Sequence, residues 1–364
     1  MPEPLLYAQA MGVAAITSSV FVFVMIAVRR SVITSWLNAV CVVGLGLGLV
    51  TGYAWLGYHR SFPPTSGLDR LLMIVVPVTL FVELIATSTP ISNAVSWLLR
   101  IVVAIAIPRI LLHKSVYLNV TDDWTAWQAN AMIAVSGILL VIVWGALSCV
   151  TQRSGGISIA FALCLAIQCA GTTVMLAGYI KGGAAAIPLA ATVFGVSAAS
   201  RVSTRYLRKD CEDRLPNSFL APAIIALGVV GLFGLLFVGR FFGEISTMSA
   251  LTILFAPVLC CVSEAPQIRN QKPWVVALLR VVLVAIPLTI VLVAAKREFD
   301  REMLPLLGDG IVSPQSQGCR SLRVRNWEES SQRELMSSVC VLDDATDTSR
   351  QRTRQVSRKA QEPR

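Results

Sequence analysis

The chain has 364 residues, 55% of them hydrophobic and only 14% charged, with a mean hydropathy of +0.68. An ordinary soluble domain carries about 25% charged residues, so this composition excludes a soluble globular protein and indicates a polytopic membrane protein whose first partner is the lipid bilayer. The net charge of +10 does not indicate nucleic acid: residues 1–296 hold +9 of it, in loops and at helix ends, and residues 297–364 hold +1.

A helix needs about 20 mostly apolar residues to cross the hydrocarbon core. Ten such runs are predicted, near residues 8–28, 34–58, 70–88, 93–111, 127–149, 156–180, 184–200, 218–239, 246–264 and 274–295. The expected fold is all-α, a transmembrane helical bundle over 1–296 with a polar, mostly disordered tail over 297–364. Barrel strands are excluded because they would be about ten residues long and alternate in polarity.

The first run competes with a cleaved signal peptide. Glu3 is the only charged side chain before Arg29, and the apolar run is longer than a signal h-region, so a retained helix is expected. The second run contains GLGLGLVTG, Gly44 to Gly52. Within an apolar helix this reads as small residues that let helices approach, not as a nucleotide loop.

The third and fourth runs carry charge where charge is expensive. Glu83 lies about five residues from the end of one, and Arg100 about seven from the start of the next, each roughly 8–11 Å inside the hydrocarbon at 1.5 Å per residue. They are expected to meet across the hairpin or to face a wet cavity, since an unpaired charge there costs several kcal/mol. Next comes the loop HKSVYLNVTDDWTAW, His113 to Trp127. Its Asp122 and Asp123 beside a membrane boundary suit a transferase that binds a metal, or simply cap the next helix. The loop also holds the one sequon, at Asn119.

The seventh run is short and rich in alanine and glycine; if it fails to span, everything after it changes sides. The loop RVSTRYLRKDCEDRL, Arg201 to Leu215, is the densest basic segment. The ninth and tenth runs place Glu264 and Arg280 as a second, looser pair. From about Pro314 the chain is polar and aperiodic and is expected to be disordered.

Lys and Arg set the orientation. Arg29, Arg30, Arg153, Arg201, Arg205, Arg208, Lys209, Arg214, Arg269 and Lys272 gather on one side; Arg60, Arg70, Lys114, Lys181 and Arg240 gather on the other. The first side is expected to be cytoplasmic, which puts both termini outside in an integral cytoplasmic or plasma membrane protein. Trp36, Tyr53, Trp55, Tyr58, Trp97, Trp124, Trp127, Tyr179 and Trp274 fall near run ends, as interfacial anchors do.

The arginine context repeats. LLRIVVAIAIP, Leu98 to Pro108, returns as LLRVVLVAIP, Leu278 to Pro287, and Pro77 and Pro257 each precede their arginine by 23 residues. A fainter copy of the first helix is Ile187 to Ser200, and TGY at Thr51 to Tyr53 echoes AGY at Ala177 to Tyr179. All these correspondences join helices of the same parity, so the repeats run parallel, as in several transporter folds.

Catalytic and cofactor patterns are scarce. The two histidines, His59 and His113, lie at run ends, and the nine cysteines contain no CxxC, so no metal or other cofactor is expected. The leading functional expectation is a small-solute or lipid transporter in which Glu83, Arg100, Glu264 and Arg280 line a polar cavity for an anionic solute or lipid headgroup. The alternatives are a noncatalytic membrane scaffold, with those residues in static pairs, and the Asp122/Asp123 transferase.

Overall fold

A computed structural model describes residues 4–29, 34–58, 63–64, 66–88, 92–113, 126–153, 157–210, 221–264 and 272–308. Among them are ten helices long and apolar enough to cross a membrane. They are α1 (Pro4–Arg29), α2 (Thr34–Trp55), α3 (Gly67–Arg70, Leu71–Val75 and Val76–Ser88 in continuous succession), α4 (Asn93–Leu111) and α5 (Ala126–Arg153). Then follow α6 (Ile157–Leu176), α7 (Ile180–Asp210), α8 (Pro222–Phe242), α9 (Thr247–Phe255 continuing as Ala256–Glu264) and α10 (Pro273–Gly308). The seventh run does form a long helix, which keeps the even count. The tail beyond 308, Cys211, Cys319, Cys340, His59, Asn119, Asp122 and Asp123 lie outside the described residues.

Helix α10 extends well past Lys296, where the sequence changes from apolar to polar. Residues 296–304, KREFDREML, are mostly good helix formers, and Gly308 ends the run, so propensity carries the helix past its apolar part. Residues 1–301 form one unit; 302–308 are described as helix.

The centre is α8. Every residue from Ala223 to Gly239 is buried, and the helix touches α2, α3, α4, α5, α6, α7 and α9. Its glycines let neighbours approach closely: a Cβ on Gly228, Gly231 or Gly234 would lie within 3.0 Å of Leu163 on α6, Leu189 on α7 or Leu71 on α3. By contrast α1 packs on α2 and α7, and both α1 and α10 leave most of their surface outward.

Glycines set the close contacts. Gly44, Gly48 and Gly52 recur every fourth residue on one face of α2. A Cβ on Gly48 would lie 2.7 Å from Thr192 Cγ2, 2.8 Å from Ser18 Cβ and 3.0 Å from the Ala14 carbonyl oxygen. The glycine-rich stretch is therefore a packing face against α1 and α7. Gly171 and Gly183 join α6 to α7 so closely that a Cβ on either would press on the other's carbonyl oxygen.

Two helix ends match in detail. After α2, Gly57 has φ +69°, its N–H donates to the Ala54 carbonyl, and Tyr58 N–H donates to Tyr53. After α6, Gly178 has φ +83°, its N–H donates to Met175, and Tyr179 N–H donates to Val174. Both are Schellman endings, which need a left-handed residue that glycine supplies without steric cost. The equivalence thus runs from Gly57-Tyr58 to Gly178-Tyr179, and TGY at Thr51 to Tyr53 is not the matching segment. Tyr53 is also no interfacial anchor: it is 8% exposed, and its hydroxyl donates to the Ala185 carbonyl.

Helix contacts follow a cycle. Taking α2–α3, α6–α7 and α8–α9 as pairs, α3 packs on α8, α9 on α6, and α7 on α2. The helix after each pair obeys the same rule where it can be compared. Helix α4 meets α3 and α8, and α10 meets α9 and α6 through Arg280, Ser263, Ser158 and the Cys169 to Leu288 contact. Helix α8 plays two roles, following α7 and opening the last pair.

Both copies of the proline helix leave α geometry at the repeated proline. In α3 a π-helical turn, Leu71–Val75, precedes Pro77; in α9 a 3-10 segment, Ala256–Glu264, includes Pro257. Proline has no N–H and its ring crowds the carbonyl four residues earlier, which is Met73 or Ile253 here. One copy accommodates it by widening and the other by tightening.

Candidate functional site

Glu83 and Arg100 meet as the hydrogen-bonding fork of an arginine meets a carboxylate. Nε donates to Oε1 at 2.7 Å and Nη2 donates to Oε2 at 2.8 Å. The Glu83 side chain is fully buried and that of Arg100 is 11% exposed. Trp97, one turn earlier on α4, lies under the guanidinium at 5.3 Å from its ring centroid. Asn38 on α2 donates its side-chain amide to Thr87, which donates to the Glu83 carbonyl at 2.7 Å, so three helices converge here. Among the described residues the Asn38 Oδ1 is buried with no hydrogen-bond partner.

Arg280 is built differently. Its Nη2 donates to Glu264 Oε1 at 2.6 Å, its Nη1 to Ser158 Oγ at 3.0 Å, and its Nε to Ser263 Oγ. The side chain is 4% exposed and that of Glu264 15%. Ser263 precedes Arg280 by the same 17 residues that separate Glu83 from Arg100, and in both copies that residue receives Nε. The carboxylate has moved one position along, and Ser158 from α6 supplies the remaining acceptor. The second site is therefore no looser than the first: it exchanges a two-point carboxylate for three acceptors on two helices.

A third buried arginine was read from sequence as an outer-loop charge. Arg70 lies in the first turn of α3, is 8% exposed, and donates Nη1 to the Leu111 carbonyl at 3.2 Å. It thus satisfies a carbonyl at the end of α4, where a helix carries partial negative charge.

Among the described residues, cavities lie at both ends of the helices. The first, about 360 Å³, sits between the end of α2 and the start of α3, lined by Gly46, Tyr53, Tyr58, Asp69, Met73 and Pro77 among others. The π turn lies along its wall. The Tyr58 hydroxyl donates to the Lys181 carbonyl at 2.6 Å, and Asp69 closes a capping box with Ser66. Burial, then the nearby Tyr179 and Asp69, push the Tyr58 hydroxyl above its usual range; burial, then Asp69, does the same for Tyr179.

The second cavity, about 670 Å³, lies between the start of α6, the later part of α7 and the start of α10. Its wall is apolar apart from Ser158 and Ser197. Helix α7 runs between the two cavities, offering its first carbonyls to Tyr53 and Tyr58 and Phe194 and Ser197 to the second.

Neither cavity is lined by Glu83, Arg100, Glu264 or Arg280. Arg280 stands behind the second cavity, touching it through Ser158. Both arginines and both glutamates stand out in the sequence as charges within apolar runs, whereas Ser158, Ser263 and Asn38 do not. Ser263 was within reach, because sliding one repeat onto the other by 180 residues places it on Glu83. Ser158, 122 residues from Arg280, carries no such signal.

Among the described residues no three His, Cys, Asp or Glu side chains are grouped to hold a metal ion. Of the cysteines, Cys41, Cys164, Cys169 and Cys260 are buried in the helices, where the residue packs as a small apolar side chain. Comparison of the chain with protein-family models, with curated proteins and with solved structures finds no match.

Proposed function

We propose that this multi-pass membrane protein is a transporter of small amphipathic, lipid-like molecules that reach it from the bilayer. The observation that carries this reading is the pairing of two apolar cavities, at opposite ends of the helices, with two proline-broken segments. The π turn of α3 lines one cavity, and the 3-10 segment of α9 holds the arginine behind the other. Volumes of about 360 and 670 Å³ lie in the range of small-molecule sites, roughly 300–1,000 Å³.

In this reading the arginines are not substrate ligands. Each hairpin buries a cation that lipid would otherwise face, and its carboxylate or hydroxyl partners fix how the two helices meet. Movement then belongs to the helices outside α8. A 3-10 helix rises 2.0 Å per residue and an α-helix 1.5 Å, so converting the nine residues of Ala256–Glu264 shortens α9 by about 4–5 Å. That displacement draws on Ser263 and Glu264, hence on Arg280 and α10, and changes the second cavity. The scaffold reading draws support from the same saturated ion pairs.

The deciding experiment is translocation in proteoliposomes that carry a phospholipid with a fluorescent acyl chain and receive a membrane-impermeant reductant. A transporter of lipid-like molecules takes the bleached fraction from about half, the outer leaflet alone, towards completeness. Bleaching that stops at the protein-free level contradicts the proposal and leaves the scaffold.

A further inference from the structure

We propose that the cavity between α6, α7 and α10 binds one acyl chain of an anionic phospholipid from the leaflet that holds Trp274, with its phosphate at the rim marked by Lys272 and Arg201. This deepens the transport reading by naming the lipid class. It rests on that reading only for the cavity being part of a path and not a static seat.

The three walls are membrane-spanning segments, so the medium around the opening is hydrocarbon. Phe161, Phe194, Trp274 and Leu278 line the cavity and are 41%, 49%, 65% and 56% exposed. Phe161 and Phe194 meet edge to face across α6 and α7 at 6.3 Å. Such an apolar surface suits a chain of methylenes. Trp274 begins the α10 span, where an indole sits at headgroup level, and so marks the depth of the phosphate.

The polar features lie at that same end. Lys272 is exposed two residues before Trp274, and Arg201 follows Ser197 by one helical turn, on the α7 face that lines the cavity. Cations at this level attract anionic headgroups. Ser158 is 6% exposed, lines the cavity, and accepts from Arg280. Its oxygen is thereby occupied as an acceptor, and its own hydrogen can donate to an ester carbonyl or phosphate oxygen. Glu264 on α9 is engaged by Arg280.

The test is native mass spectrometry of the full chain, released from detergent with phosphatidylglycerol and phosphatidylcholine of identical acyl chains in equal amounts. Wild type retains one phosphatidylglycerol in preference, by about fivefold. Ala277→Phe and, independently, Ala198→Phe fill the cavity from two walls and remove the retained lipid. Leu292→Phe, on the exposed face of α10, leaves it in place. Lys272→Glu keeps a lipid but loses the preference. Equal retention in the wild type and in both filled variants overturns the proposal, as does a wild type without preference. Retained lipid with no translocation removes transport and leaves the site. Translocation with retention unchanged by filling removes the site and leaves transport.

Discussion

Arg100 and Glu83 offer the sharpest energetic test, because the pair is both bidentate and deep. Glu83→Leu leaves a guanidinium that cannot give up its charge in a place built for an ion pair, and Arg100→Met leaves a fully buried carboxylate. Breaking a buried pair from one side costs about 3–5 kcal/mol, whereas replacing both partners with apolar groups of similar size is close to neutral or stabilising. At about 2–4 °C per kcal/mol for a chain of moderate size, each single variant melts on the order of 10 °C below wild type. The double variant returns to within a few degrees. Arg100→Met is the more severe single change, since Glu83 is fully enclosed while Arg100 keeps 11% exposure and a long stem along which to reach water. The assay is thermal unfolding of purified protein followed by size-exclusion fluorescence. Single variants melting with wild type, or a double variant no better than the worse single, would falsify the claim that this pair locks the α3–α4 hairpin.

Other outcomes follow from particular contacts. Gly48→Val overpacks the α2 face against Ala14, Ser18 and Thr192 and lowers stability by about 1–3 kcal/mol, while Gly46→Ala, whose nearest neighbour is Leu80 at 3.9 Å, is neutral by the same melting assay. Burial raises the Tyr58 and Tyr179 hydroxyls above their ordinary 10.0, so their contribution is intact below pH 10 and is lost from there upward as pH rises through the raised folded values. Melting temperature should hold from pH 7 to about 10 and fall beyond it, and Tyr58→Phe should flatten part of that fall. Pro257→Ala restores the missing N–H, favours α geometry through Ala256–Glu264, and slows translocation while leaving the fold intact by circular dichroism. A rate equal to wild type would count against a role for the 3-10 segment.

Much of the architecture was legible because the bilayer imposes it. Length and apolarity alone place ten spans, and even the weak seventh run keeps its helix, packed closely on α6 and α1. The Glu83–Arg100 contact was legible too, since depth forces a buried charge to find a partner. What escaped was tertiary. Nothing local tells that α8 is central and α10 peripheral, because in lipid both an inner and an outer helix read as apolar. Ser158 and Ser263 escaped because a hydroxyl costs little in a membrane helix and so leaves no mark until an arginine from another helix arrives. The Gly-Tyr equivalence was off by one motif, because TGY and AGY look alike as letters and only a left-handed glycine distinguishes the true helix end.

Transport by this fold requires Ala256–Glu264 to have two states. The direct measurement is the distance distribution between spin labels at Val262, exposed on that segment, and at Val135, exposed on α5, by pulsed dipolar spectroscopy in lipid nanodiscs with and without phosphatidylglycerol. Two populations whose centres differ by up to about 4–5 Å, with anionic lipid shifting their ratio, are the predicted result. A single narrow distribution, identical in both lipids and in Pro257→Ala, would contradict it and leave α9 a rigid wall.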